Sequence, residues 1–264
     1  CGEKVSGDEV RIIVGHNTSR MLLRRPMLSC LHHCYQFMAK MGERRCVVWP
    51  SIYRELRIIR GLMVFAEADL RRPFCRHVLM SDACLTGYGV SSSEWLESEV
   101  REVCQHDERW RFKDEVWARQ NAREAALYAY NSELDSWADS DVYMDPDTVV
   151  PSPCSRRLFE DFSFPGIPAR LLDPDRWHDL WASPLHFREP VDLCELRSFY
   201  AAVKHCSRDA QRHGSHVLVI GDNLGMILSV SKGRASNYAV NRLLQRLCSE
   251  CLACLLYTSD AADE

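Results

Sequence analysis

Long apolar runs are missing from this chain. None of its 264 residues falls in a stretch approaching the ~20 that cross a bilayer, and no charged-then-apolar leader opens it. The expectation is therefore a globular intracellular protein, cytoplasmic or nuclear, with no membrane partner. A strong excess of one charge is missing as well. With 33 basic and 37 acidic residues the net charge is −4, so no global positive field draws in a polyanion, and such a partner must be met by local basic patches. Repeats and low-complexity tracts are also lacking. What the chain does have is 46% hydrophobic content, enough for one large core or two ordinary ones.

Paired cysteine spacing is not evident either. The thirteen cysteines are scattered singly, and without a secretion signal they read as reduced thiols packing as small hydrophobes. In the one tight cluster, Cys30-Leu31-His32-His33-Cys34, a helix would bring Cys30, His33 and Cys34 to one face. No fourth zinc ligand is evident, so a helix that merely contains them is expected. Both ends look cut. Cys1 stands where an initiator Met would be, and the last eleven residues, CLLYTSDAADE from Cys254 to Glu264, look like a translated sequencing-library adapter. Residues 254–264 are thus expected to be a non-native tail without packed contacts. Setting aside Asp260, Asp263 and Glu264 leaves 33 basic against 34 acidic residues, net −1.

Residues 1–75 are basic and helical in pattern. One helix is expected from Pro26 to about Met41, stopped by Gly42. Another follows Pro50, capped by Ser51, with Ile52, Leu56, Ile59 and Met63 as its core stripe. Arginines between these elements, Arg24 and Arg25 among them, are placed to track a phosphate backbone, or else they line solvated helix faces. From His77 the pattern switches: His77–Asp82 reads as a strand, and Gly87-Tyr88-Gly89-Val90 turns into a second, making a hairpin. Residues 94–138 read as charged helix, with Glu97/Arg101 and Glu115/Arg119 at i, i+4 spacing. Six of the eleven prolines fall in residues 139–176, which read as a long loop. An edge strand is expected over 177–187. A helix follows near Glu195, with Leu196, Tyr200, Val203 and Ala210 inward and Gly214 as its stop. His216–Ile220 has the near-continuous apolar pattern of a strand buried on both faces. A short helix over 224–230, the basic turn Ser231-Lys232-Gly233-Arg234 and a last helix from Asn237 complete the pattern.

Three carboxylates stand out. Asp82 (VLMSDACLTGYGV) and Asp222 (SHVLVIGDNLGM) end strand-like runs, and Glu195 (VDLCELRSFYAAV) lies near a helix start. Singly they read as a turn residue, a helix cap and a first-turn acid. Together, strand-Asp, hairpin, helix-Glu, strand-Asp-Asn and basic turn form an order that suits hard-cation binding, because carboxylate oxygens favour Mg²⁺ where thiols and imidazoles favour zinc.

In these segments the chain resembles the RNase H domain of retrotransposon reverse transcriptases, of the DIRS type in particular. The resemblance lies in SDACLTGYGV, a D-A-S-x-x-G-x-G pattern with Cys84 in place of Ser; in ELRSFYAAVKH, with Ser198 in place of Ala; and in GDNLGMILSVSKGRASN. It covers about residues 76–253, and residues 10–75 look like the thumb and connection region that follows a polymerase palm. The resemblance implies an α/β fold: an RNase H-like mixed sheet with flanking helices, preceded by a small helical region over 1–75 and lacking its last strand. It further implies that Asp82, Glu195 and Asp222 are catalytic and hold two Mg²⁺ (or Mn²⁺) ions that cut the RNA of an RNA/DNA hybrid. Lys232 and Arg234 would contact phosphates, with Asn223, Arg24 and Arg25 as further nucleic-acid contacts. The other implied partner is a polymerase domain upstream in the same polyprotein.

There are departures. Asp82 and Glu195 are 113 residues apart, so residues 94–176 are expected to be an insertion. A fourth acid and the last strand are missing, which implies a fragment weak or inactive by itself. Polymerase-type acids are missing too, since Asp139, Asp141, Asp145 and Asp147 lie in a loop. The alternatives are a non-catalytic module of the same fold that positions nucleic acid, or an inactive pseudogene fragment.

Overall fold

A computed structural model describes residues 4–114, 158–185 and 189–257. In chain order its principal elements begin with β1 (Lys4–Val5), α1 (Gly7–Met21), a 3₁₀ stretch (Leu22–Leu31), α2 (His32–Met41), β2 (Cys46–Val47) and α3 (Pro50–Leu62). Then come β3 (His77–Ala83), β4 (Gly87–Glu94), α4 (Glu97–Cys104), β5 (Phe112–Asp114), β6 (Leu158–Glu160) and β7 (His178–Pro184). The C-terminal portion contains α5 (Val191–Ser207), β8 (Val219–Ile220), α6 (Leu224–Lys232) and α7 (Tyr238–Ala253). Among the described residues no helix is long and apolar enough to cross a membrane.

The chain divides into two compact units, the first built from residues 1–17, 31–60 and 110–164, the second from 18–30, 61–109 and 165–264. This division differs from a boundary at 75. It gives residues 22–30 of the 3₁₀ segment to the second unit, and of the expected insertion it gives only residues 110–164 to the first.

In the first unit, Ser6 and Glu9 open α1 with a reciprocal capping box: Glu9 N–H donates to Ser6 Oγ and Ser6 N–H to Glu9 Oε2. The α3 stripe departs from expectation. Ile52 and Ile59 are buried, but the third buried position is Glu55 rather than Leu56. The Glu55 carboxylate accepts the backbone N–H groups of His33 and Cys34 and pairs with His33 Nδ1 at 2.7 Å. It therefore caps the unsatisfied donors at the start of α2. The helix expected from Pro26 begins as α only at His32; the preceding stretch from Leu22 to Leu31 is 3₁₀, with Arg24 outside helical geometry (φ −142°, ψ 70°).

The second unit is a mixed sheet in the order β7-β4-β3-β8, with β3 antiparallel to β4, β4 antiparallel to β7, and β3 parallel to β8. This is the α/β class expected. The central strand β3 is buried on both faces: Leu79 meets Ala202 and Cys206 of α5, whereas Val78 joins Trp95, Val100 of α4 and Leu171. Such two-sided burial explains its apolar run. Behind α5 pack Met226 and Val230 of α6 and Leu243, Leu244 and Leu247 of α7. On the opposite face of β3, Trp95 and Leu171 belong to the core around Val78, so the ends of the expected insertion are integral to the sheet.

Several expectations need correction. The 216–220 run pairs with the segment entering β3, His216 bridging Phe74 and Leu218 O accepting from Leu79 N, but residues 217–220 are half-buried rather than buried on both faces, because β8 is an outer strand. The α5 helix stops at Ser207, leaving Ala210 exposed in a separate turn well before Gly214. The tail is not free of contacts: Leu256 and Tyr257 are buried, Tyr257 N–H donates to Ser215 O, and Val217 N–H donates to Tyr257 O. The unpaired edge beside β8 offers open backbone donors and acceptors, and an apolar segment tethered next to it pairs there. Residues 258–264, Glu115/Arg119 and the acids at 139–147 lie outside the described residues.

Candidate metal centre

The parallel register decides the geometry of the site. Leu79 pairs with Val219 and Met80 with Ile220; two residues further on, the same offset sets Asp82 opposite Asp222. Two acids that are 140 positions apart in the chain thereby become neighbours at one end of the sheet. The third comes from α5, whose buried face crosses β3. One turn beyond Glu195, the fully buried Ser198 donates its hydroxyl to the carbonyl oxygens of Asp82 and Gly89, both at 3.1 Å. This contact seats the helix on the strand end. Ligand oxygens of Asp82, Glu195 and Asp222 all lie within 4.8 Å of one another, and among the described residues no other group of three His, Cys, Asp or Glu side chains converges in this way.

The environments of the three acids differ. Asp82 and Asp222 are exposed, whereas Glu195 is 3% exposed. Burial and the neighbouring Asp222 push the Glu195 carboxyl up to about 7, with Asp82 and Asp192 adding to the rise and the Ala83 amide, which donates a hydrogen bond, opposing it. Its Oε2 is buried and has no hydrogen-bond partner. An orphaned carboxylate oxygen facing two further carboxylates is costly in a protein without a cation, and a divalent ion would relieve the repulsion and satisfy that oxygen together. The three residues can therefore hold a metal ion.

Comparison with family models, curated proteins and solved structures gives no match.

The remaining expected site residues are distributed unevenly. Asn223 sits beside the acids, but its side chain is engaged: Oδ1 accepts from Met226 N and caps α6, and Nδ2 donates to Asp192 Oδ1. It steadies Asp222 instead of reaching outward. Lys232 is exposed and Arg234 half-buried, both at the far end of α6, about 13 Å along the helix from Asp222. Between them, Gly233 adopts φ +68° against the Arg25 backbone, where a side chain would collide with the Arg25 carbonyl.

Arg24 is not a phosphate contact. It is 5% exposed, donates to the carbonyls of Cys251 and Leu256 and lies 4.2 Å from the Tyr257 ring centroid, a core role set by carbonyls that need donors. Arg25 is half-buried. Cys30, Cys34, Cys206 and Cys251 are buried, and burial leads the forces pushing Cys206 up to about 11 and Cys251 up to about 12. They pack as small hydrophobes in the interior.

Ser198 was missed as a positioning group. The only signal was its departure from Ala in the E-x-R-A-like motif.

Proposed function

We propose that this chain carries a nuclease centre that hydrolyses RNA in RNA/DNA hybrids with two Mg²⁺ or Mn²⁺ ions, within a reverse transcriptase polyprotein of a retroelement. One observation carries the reading: two exposed aspartates aligned by a parallel register converge with a buried glutamate whose second oxygen lacks any partner. Asp82 and Asp222, open to solvent, and the buried Glu195 would hold the ions. The ions would supply charge neutralisation at the phosphate and a water of lowered pKa. The chain's own part is to hold three carboxylates in place through Ser198, the Ala83 amide and the Asn223–Asp192 contact.

The test is cleavage of a labelled hybrid by the full chain in Mg²⁺, Mn²⁺ or Ca²⁺, with Asp82→Asn as the control. Cutting in Mg²⁺ or Mn²⁺ that disappears in Ca²⁺ and in the variant supports the reading. Equal cutting by Asp82→Asn overturns it, and hybrid binding without any cutting favours the non-catalytic module.

A further inference from the structure

Beside the metal centre, the second unit has a groove of about 540 Å³ between the outer strand β7 and helices α5 and α7. It is cationic in a chain that is otherwise close to neutral. Lys204 and Arg208 come from one face of α5 and Arg246 from α7; all three are exposed, and none forms a side-chain hydrogen bond or ion pair with a described residue. The neighbouring acids are already engaged: Glu250 accepts the hydroxyls of Tyr200 and Ser207, Glu189 is held by both ends of the Arg197 guanidinium, and Asp209 pairs with Arg212. Hydroxyl donors leave the Glu250 charge in place, so the three cations outnumber the one acid beside them that has no ion pair.

Two aromatic rings, Tyr88 and Trp181, are half-buried in the wall of this groove. Tyr88 also lines a second depression, of about 400 Å³, that begins at Asp82. The two hollows thus share one lining side chain. Lys204 and Arg208 follow Glu195 by nine and thirteen helical residues, about 13 and 20 Å.

We infer that this groove binds an unpaired nucleic-acid strand leading away from the metal centre, its phosphates on Lys204, Arg208 and Arg246 and its bases against Tyr88 and Trp181. Free cations alone would suit a duplex backbone equally. Ring faces interleaved with them are the combination that serves single strands, because bases become available for stacking only when unpaired. The identity of the ligand rests on the nuclease reading, but the groove's preference can be measured without any cutting.

The experiment measures binding by fluorescence anisotropy in EDTA. The full chain is given a blunt RNA/DNA hybrid and the same hybrid with eight-nucleotide single-stranded overhangs, across a salt series. The overhang should tighten binding about tenfold, the order of one stacked base, and steepen the log–log salt slope by about two. The Lys204→Ala/Arg208→Ala/Arg246→Ala variant should lose this advantage, with its affinity for the blunt hybrid unchanged. The charge-preserving Lys204→Arg/Arg208→Lys/Arg246→Lys variant should retain it. Equal binding of blunt and overhung hybrids by the parent chain overturns the inference, and this comparison needs no variant to fold. So does an equal loss on both substrates in the alanine variant, which would mark a duplex tract, or displacement of the overhang by polyglutamate at equal charge, which would mark a site for acidic protein. An overhang preference in a chain that never cuts in Mg²⁺ or Mn²⁺ would defeat the nuclease reading alone.

Discussion

Replacing Glu195 with Gln should make the metal-free protein more stable at neutral and alkaline pH. A carboxyl whose pKa rises from 4.5 in the unfolded chain to about 7 in the fold binds its proton more tightly when folded. Its contribution to stability is fully present below pH 4.5, falls as the pH rises towards 7, and stays lost above that. About 2.5 pKa units correspond to about 3 kcal/mol across that window. Glutamine keeps the shape and cannot ionise. Its carbonyl can still accept the Ala83 amide, and its NH₂ can donate towards Asp82 or Asp222 where Oε2 now has no partner.

Urea unfolding in EDTA at pH 4.5, 6, 7 and 8 should show parent and variant nearly equal at the acid end, with the variant ahead by up to about 3 kcal/mol at pH 8. Saturating Mg²⁺ should reverse the order, since ligand binding to the folded state stabilises only a protein that holds the ion. A stability difference that does not change with pH, or a variant less stable at pH 8 without metal, would refute the account of the buried carboxyl.

Asp222→Asn should lower the Glu195 pKa, because Asp222 is the largest charge raising it; carboxyl ¹³C titration by NMR reads this directly, and an unmoved pKa would remove Asp222 as a cause. Ser198→Ala should cost about 1–2 kcal/mol by leaving buried carbonyls short of a donor. It should also weaken Mg²⁺ binding measured by calorimetry, whereas a purely structural hydroxyl would leave metal affinity alone. Gly233→Ala should destabilise by more than about 1 kcal/mol, since φ +68° and the adjacent Arg25 carbonyl both exclude a Cβ; thermal unfolding within a degree of the parent would count against that close approach.

Much of the site was readable from local pattern. Apolar runs ending in Asp82 and Asp222, and a helix around Glu195, follow from period-two and period-3.6 hydrophobicity, and both depend only on neighbours in the chain. The hairpin over β3 and β4 was legible for the same reason, its turn marked by Gly87 and Gly89. Where the reading failed, the deciding interaction lay far away in sequence. Nothing near Glu55 in the chain says that it will turn inward, because its partners are the amides of His33 and Cys34. Arg24 reads as one surface arginine among many until carbonyls more than 220 residues later need a donor. The run 216–220 looks doubly buried because its composition is that of a central strand, but burial depends on what lies beyond β8.

The sequence by itself determined which residues can carry hard-cation chemistry, the class of fold that displays them, and the absence of any global field for a polyanion. Only the tertiary structure decided that three acids meet. Their meeting depends on a parallel register between strands 140 residues apart and on the seating of α5 by Ser198. It also decided that Lys204, Arg208 and Arg246, unremarkable along the chain, share one groove with Tyr88 and Trp181. Charge and hydrophobicity are properties of residues and survive in the sequence; distance between side chains is a property of packing and does not.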